Sequence, residues 1–310
     1  MLKQRVSVGE FWRSVYLPHV ERNCKRSTSE GYKKLWQTYI EKEVSCTKLH
    51  KYTTAHATRF LTSLCEKGLG VRTVAHVRSL LSGLLGHAVA LGVIDANPVR
   101  DAKTLSRPES AEETTAYTLQ EIQFFISALS GDRYAQLAVA LAAYAGLRPS
   151  EIAGLRCEDV HEDHIALRRS VWGGVASDSL KTVEAAAKVP LISILQGMFA
   201  SMPRGDGWVF CTEGKRPVNM DEWSRRRIAE PLRKRRIRWV GLYAARRACA
   251  SIVTTLTGSP WAAQAILRHT SPATTLRFYI KLDKENMAQQ GMQLLEAEIA
   301  NRKTLSAGGL

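Results

Sequence analysis

From Val8 to about residue 100, apolar positions recur every three to four residues in four stretches: Val8 to Tyr16, Ser29 to Ile40, Thr53 to Lys67 and Arg72 to Leu91. That period puts the apolar side chains on one face of a helix, so four amphipathic helices are predicted. Thr28 or Ser29 can cap the second helix and Thr53 or Thr54 the third, because a hydroxyl there satisfies an amide the helix leaves unpaired. Gly68 and Gly70 break the chain before the fourth helix, Gly92 closes it, and Asn97-Pro98 forbids its continuation.

The period is lost between Arg100 and Thr115, where Ser, Thr, Glu and Pro accumulate as in a solvated connector. Thr118 with Glu121 then reads as a capping box that opens a helix from Leu119 to Leu129. An apolar helix follows from Tyr134 to Ala145, ended by Gly146, and Pro149 starts another, since proline is accepted in a first helical turn. His164 to Val171 and Lys188 to Ile192 alternate as strands around Gly173-Gly174 and a polar stretch, which predicts a small antiparallel sheet. Helices resume after Phe210. The expected fold is mainly α with that small sheet, in two domains. Residues 1–100 form a helical domain, 101–116 a linker, 117–285 a mixed α/β domain and 286–310 a tail.

The 310 residues are 45% hydrophobic, enough for a core in each domain. Forty-four Lys and Arg against 29 Asp and Glu leave a net charge of +15, which points to a polyanionic partner, nucleic acid first. Six scattered cysteines show neither disulfide nor metal-ligand spacing, so a reducing compartment and no metal are expected. The longest apolar run, Leu137 to Tyr144, is too short to span a bilayer, and Met1 to Trp12 carries charge where a signal peptide is apolar. A cytoplasmic protein without a membrane partner is expected.

Four clusters carry candidate chemistry. Arg148 stands at the mouth of the helix begun by Pro149, where free amides favour an anion, and Glu151 one turn on can hold its guanidinium. Lys181 lies in the polar turn between the proposed strands, from which an ammonium can protonate a leaving oxygen. Tyr243 and Arg246 are three apart in a helix of small residues, a spacing that puts both on one face. His269 precedes Thr270-Ser271-Pro272, a cap and first turn, and Tyr279 follows ten residues later. Taken alone, each has an ordinary use: a local ion pair, a solvated lysine, a packed tyrosine, a histidine satisfied by a carbonyl. A fifth cluster, Arg225, Arg226, Arg227, Arg233, Lys234, Arg235, Arg236 and Arg238, is dense enough to track a DNA backbone.

In this order the clusters resemble the tyrosine recombinase or phage integrase family over nearly the whole chain. Ala145 to Glu151 is similar to that family's first arginine box, and Lys181-Thr182 with Val189-Pro190-Leu191 to its lysine hairpin. Arg246 to Ser251 is similar to the second arginine box, and Leu267-Arg268-His269 through Tyr279 to the segment from histidine to nucleophile. Gly92 to Pro98 resembles the end of the family's N-terminal core-binding module.

The resemblance implies a two-domain DNA clamp, with a helical core-binding domain and a catalytic domain of the DNA breaking-rejoining type. It implies that Tyr279 attacks a phosphodiester to give a 3′-phosphotyrosyl link, that Arg148 and Arg246 bind the non-bridging oxygens, that Lys181 protonates the departing 5′-hydroxyl, and that His269 supports the phosphate. No cofactor is implied, because bond energy is conserved in the link. Double-stranded DNA, a homotetramer on two sites with the tail exchanged between protomers, and accessory DNA-bending proteins are the implied partners. The family usually carries histidine where Tyr243 stands, and its commonest spacing falls on Phe278; Tyr279 matches the longer spacing of some members. The alternatives are a DNA-binding protein of the same fold with impaired chemistry, and strand breaking and rejoining without exchange, as in type IB topoisomerases.

Overall fold

The computed structural model describes residues 6–109, 116–177, 187–203 and 205–268, with Met292, Gln293 and Glu296. The chain divides into two compact units, Met1–Glu113 and Thr114–Leu310.

In the first unit, α1 runs through Val8–Phe11, a π-helical turn Trp12–Tyr16 and Leu17–Asn23. Helix α2 runs through Arg26–Leu35, a second π-helical turn Trp36–Ile40 and Glu41–Val44. Helices α3 (Thr54–Glu66) and α4 (Val71–Ala90) follow. Trp12 and Trp36 stack at 4.7 Å and 8°, so the two π-helical turns meet in the core. Around them Leu61, Val77, Leu80, Leu81, Leu84 and Leu85 are wholly buried. The α4 residues among them are spaced by three and four, as the pattern requires.

Two of the expected boundaries shift. Helix α1 continues past Tyr16 through Pro18, because a π-helical turn precedes the proline and spares it the α-helical bond its missing N–H cannot make. Helix α2 starts at Arg26 after an extended Lys25, not at a Ser29 cap. Ser29 is buried and its hydroxyl donates back to Arg26 O at 2.9 Å. The Thr53 cap forms as expected, with His56 completing the box.

The stretch expected as a solvated connector is held to the first unit over much of its length. Ala102 is buried, Leu105 N–H donates to the Thr62 hydroxyl at 3.0 Å, and Val71 N–H donates to Glu109 O at 3.1 Å. Two amides of this polar segment, those of Lys103 and Leu105, donate to the hydroxyls of Thr58 and Thr62, and the carbonyl of Glu109 accepts at the bridge to Gly70.

The second unit opens with α5 (Leu119–Ala128), begun by the Thr118–Glu121 capping box. Helix α6 (Arg133–Tyr144) is capped by Asp132, whose carboxylate accepts from Ala135 N–H at 3.0 Å. Every residue of α6 from Leu137 to Ala143 is buried, as befits a helix of Leu, Val and Ala that is apolar all round. The short α7 (Pro149–Ala153) follows.

Strands β1 (His164–Ala166), β2 (Ser170–Trp172), β3 (Val175–Ser177) and β4 (Lys188–Pro190) come next. They pair as two small antiparallel ladders, β1 with β4 and β2 with β3. The strand expected from His164 to Val171 is interrupted where Arg169 turns inward to Asp159 at 2.5 Å and over the Trp208 ring. Gly173 and Gly174, at φ of 57° and 76°, make the β2–β3 turn, a conformation costly for any residue with a Cβ.

Helix α8 (Ser193–Ala200) leads to α9, composed of Met220–Ser224, a π-helical turn Arg225–Ala229 and Glu230–Lys234. Helices α10 (Leu242–Thr257) and α11 (Pro260–Leu267) complete the described fold, and α5, α8 and α10 pack on α6. Among the described residues, no helix is long and apolar enough to cross a membrane, and no group of three His, Cys, Asp or Glu is placed to hold a metal.

Candidate active site

The site is built where three helix ends of the second unit meet. Helix α6 stops as Gly146 takes a φ of 60°, and the amide of Leu147 folds back to Leu141 O at 3.1 Å. The chain then passes through Arg148 in an extended conformation and enters α7 at Pro149. Gly146 has no room for a side chain: a Cβ would lie 2.8 Å from Leu267 Cδ2 on α11. The glycine therefore serves both the left-handed turn and the close approach of α11.

Glu151, 2% exposed, is the centre of the site. Its Oε1 accepts from Arg148 Nη1 at 2.6 Å, and its Oε2 accepts from the Arg148 backbone N–H at 2.8 Å and from Arg268 Nη2 at 2.8 Å. Arg246, 4% exposed in α10, donates through Nη1 to Gly146 O and through Nη2 to Leu267 O at 2.6 Å. Arg268, 9% exposed, donates through Nη1 to Ile266 O at 2.9 Å, while its own carbonyl accepts from Arg148 Nη2 at 3.3 Å. The last carbonyls of α11 are thus taken by three guanidiniums, which suits the negative end of a helix dipole.

Three guanidiniums around one carboxylate leave two positive charges unmatched among the described groups. The ionisation of each group follows from that imbalance. Burial works to raise the Glu151 carboxyl, but Arg268, then Arg148 and its amide, outweigh it and hold the group below its ordinary value. Burial, with repulsion from Arg148, pushes Arg246 down to about 9. Burial also lowers Arg268, against the pull of Glu151. Cys249, whose Sγ would lie 3.4 Å from a Gly146 Cβ, is pushed up to about 11 by burial. It is an inert thiol that packs the pocket wall. The cluster thus carries a net positive charge, with Arg246 and Arg268 buried and the Arg148 side chain 25% exposed.

The structure brings Arg148, Glu151 and Arg246 together. Tyr243 and Arg246 share α10 but not an environment: Arg246 is buried and Tyr243 is 57% exposed in the helix's first turn. Three residues advance a helix to within about 60° of a full turn, enough to separate an edge position from an inward one. Lys181, His269 and Tyr279 lie outside the described residues. Arg268 is part of the network although its residue type and position gave no reason to single it out; its only sequence sign is adjacency to His269.

The basic cluster divides by its partners. Arg227 makes a two-pronged bond to Asp132, at 2.5 and 2.6 Å, and lies over the Trp223 and Tyr134 rings. Arg225 pairs with Glu230 at 2.9 Å, Arg226 with Glu222 at 2.5 Å, and Arg235 donates to Ala128 O. Arg233, Lys234, Arg236 and Arg238 are exposed. The segment beyond them is tied to α5 by Trp239, which stacks on Tyr117 at 5.2 Å and meets Phe125 edge-on at 5.1 Å.

The fold is that of the Tn1549 and lambda integrases. The Tn1549 transposon integrase in complex with a circular intermediate DNA superposes with a TM-score of 0.74 at 17% identity, over 93% of this chain and 99% of that one. A lambda integrase dimer bound to a COC′ core site gives 0.70 at 16% identity, over 92% and 80%. A lambda integrase tetramer bound to a Holliday junction gives 0.67 at 18%, over 88% and 77%. These neighbours are tyrosine recombinases, and at such identities the likeness establishes the fold. In sequence, the chain is 30% identical over 154 residues to a "Putative prophage phiRv2 integrase" of Mycobacterium tuberculosis, a match covering 49% of this chain and 40% of the relative. The matched region thus takes in less than half of that curated relative. No protein-family model matches the chain.

Proposed function

We propose that the chain is a site-specific DNA recombinase of the tyrosine type, acting on the ends or attachment sites of a mobile element. The observation that carries this reading is the cluster in which Arg148, set by Glu151, and Arg246, set by the carbonyls of Gly146 and Leu267, leave positive charge unmatched within the fold of the Tn1549 and lambda integrases. A phosphodiester under attack gains negative charge on its non-bridging oxygens, and preorganised guanidiniums stabilise that charge where water is excluded.

On this reading Arg148 and Arg246 hold the scissile phosphate. The hydroxyl of Tyr279 attacks phosphorus and gives up its proton to water or a non-bridging phosphate oxygen, the P–O5′ bond breaks, and Lys181 protonates the departing 5′-oxygen to give the 5′-hydroxyl. His269 donates to a non-bridging oxygen. The 5′-hydroxyl of a partner strand then attacks the 3′-phosphotyrosyl link, releases Tyr279 and restores a phosphodiester. Two duplexes and several protomers are needed for exchange; the lambda neighbours bound as a dimer on a core site and a tetramer on a junction support such an assembly. Arg233, Lys234, Arg236 and Arg238 contact the DNA backbone.

The test is covalent capture. Nicked duplexes of randomised sequence, incubated with the full chain, should yield a protein–DNA adduct on a denaturing gel, absent in Tyr279→Phe and restored by no Phe278→Tyr change in that background. Sequencing the captured DNA gives the target. Absence of any adduct, with DNA still bound in a native gel, would replace this reading by a binding protein of the same fold. Adducts that never pass to a second duplex would replace it by strand breaking and rejoining without exchange.

A further inference from the structure

Arg268 is an expensive residue where it stands. Its φ of 53° is a left-handed conformation that side chains with a Cβ rarely adopt, and it occupies the C-cap of α11, where glycine is the easy choice. Its guanidinium is buried, and its Nε has no hydrogen-bond partner. Left-handed backbone at a non-glycine and an unpartnered buried donor both oppose folding. Neither is explained by stability alone.

The compensation lies in the charges. Glu151 fixes Arg148 by accepting from both its guanidinium and its backbone amide. That same carboxylate opposes an anion in the pocket. Arg268 Nη2 holds the oxygen that the Arg148 amide also uses, on the buried side, with side-chain exposures of 6% and 2% for the two partners. Resting on the recombinase reading, we propose that Arg268 is a positioning residue that cancels the charge of Glu151, so that the carboxylate orients Arg148 without neutralising it for the phosphate. Without Arg268 the pocket would keep one unmatched positive charge in place of two. The backbone of Arg268 serves the same end, since its carbonyl accepts from Arg148 Nη2 at 3.3 Å.

Charge-balance variants of the full chain test this, with inorganic phosphate as the probe and association followed by phosphorus NMR. The share of binding lost in Arg148→Gln defines the site. Arg268→Gly keeps a residue suited to the left-handed turn and removes the guanidinium; it should weaken that share about tenfold. Adding Glu151→Gln to Arg268→Gly restores two unmatched charges and should return the share to within about threefold of the wild type. A purely structural role predicts the double variant to be no better than the single one, and that result would overturn the proposal. So would wild-type affinity in Arg268→Gly, or a wild type with no Arg148-dependent share. If Arg268→Gly does not fold, Arg268→Lys decides: it keeps the charge and should stay within about threefold, and a tenfold loss overturns the idea. The titration uses neither DNA nor Tyr279. Failure of covalent capture with a charge-dependent phosphate share therefore removes the recombinase reading alone.

Discussion

The guanidinium of Arg246 donates to the carbonyl of Gly146, a residue that is left-handed and pressed against α11. The turn that ends α6 thus supplies the acceptor that holds a buried charge on α10. Gly146→Ala should disturb both. The backbone would be strained, and the new methyl would meet Leu267 Cδ2 at 2.8 Å in a packed wall. A loss of about 2–4 kcal/mol is expected from left-handed strain plus overpacking, read as a lower midpoint in urea unfolding with an unchanged slope. An unchanged midpoint would mean that the turn relaxes freely.

Glu151 carries the strongest stability prediction. Glu151→Ala leaves Arg268 buried beside Arg148 without its carboxylate, and removal of one partner from a buried pair costs about 3–5 kcal/mol. Glu151→Gln should cost less, because the amide oxygen still accepts a hydrogen bond. The pH dependence has a definite sign. The folded carboxyl lies below its ordinary value of 4.5, so its stabilisation is complete above that pH and is lost as pH falls through the depressed value. The gap in unfolding free energy between wild type and Glu151→Gln should therefore be flat near neutrality and close on acidification below about 4.5. A gap that widens in acid would contradict the assigned charge.

Arg227 and Arg236 should behave in opposite ways despite belonging to one basic run. Arg227 bonds to the carboxylate that caps α6 and lies over two aromatic rings, so Arg227→Gln should lower the melting temperature by the equivalent of about 1 kcal/mol. Arg236 is exposed, and Arg236→Gln should leave melting unchanged. It should weaken binding to a random-sequence duplex and reduce the salt slope by about 1. Equal effects of the two changes on both measurements would show that the run acts as a single surface.

Local chemistry made much of this legible before any fold was known. The Thr118–Glu121 box, the Thr53 cap, the stop at Gly146 and the start at Pro149 are each decided within four residues, and all form. Glu151 could be matched to Arg148 because one helical turn separates them. What stayed hidden depends on distance along the chain. Arg227 reads as surface charge until Asp132, 95 residues earlier, is folded against it. Arg268 reads as one basic residue among 44 until the carboxylate 117 residues away is placed. The Ser29 cap failed for another reason: four residues earlier, Lys25 supplies an extended entry, and the longer helix gains bonds that a later start would forgo.

Tyr243 supplies the last prediction, which rests on the recombinase reading. It is exposed in the first turn of α10, one turn before the buried Arg246, where the resembled family usually has histidine. A phenol, with an ordinary pKa of about 10, is a poor base at neutral pH, whereas imidazole titrates near 6.5. Because the position is exposed, Tyr243→His and Tyr243→Phe should both melt within about 0.5 kcal/mol of the wild type. Their chemistry should separate them. Tyr243→Phe loses only the exposed hydroxyl and should form the Tyr279 adduct within about tenfold of the wild-type rate. Tyr243→His gains a base able to accept the phenolic proton and should form it faster, by up to about 10² if proton transfer limits the step. Single-turnover adduct formation on the captured duplex, followed across pH 5 to 8, measures both. A rate in Tyr243→His that rises with pH as the imidazole deprotonates would assign the base role, and a loss beyond about 10² in Tyr243→Phe would show that the phenol itself moves the proton.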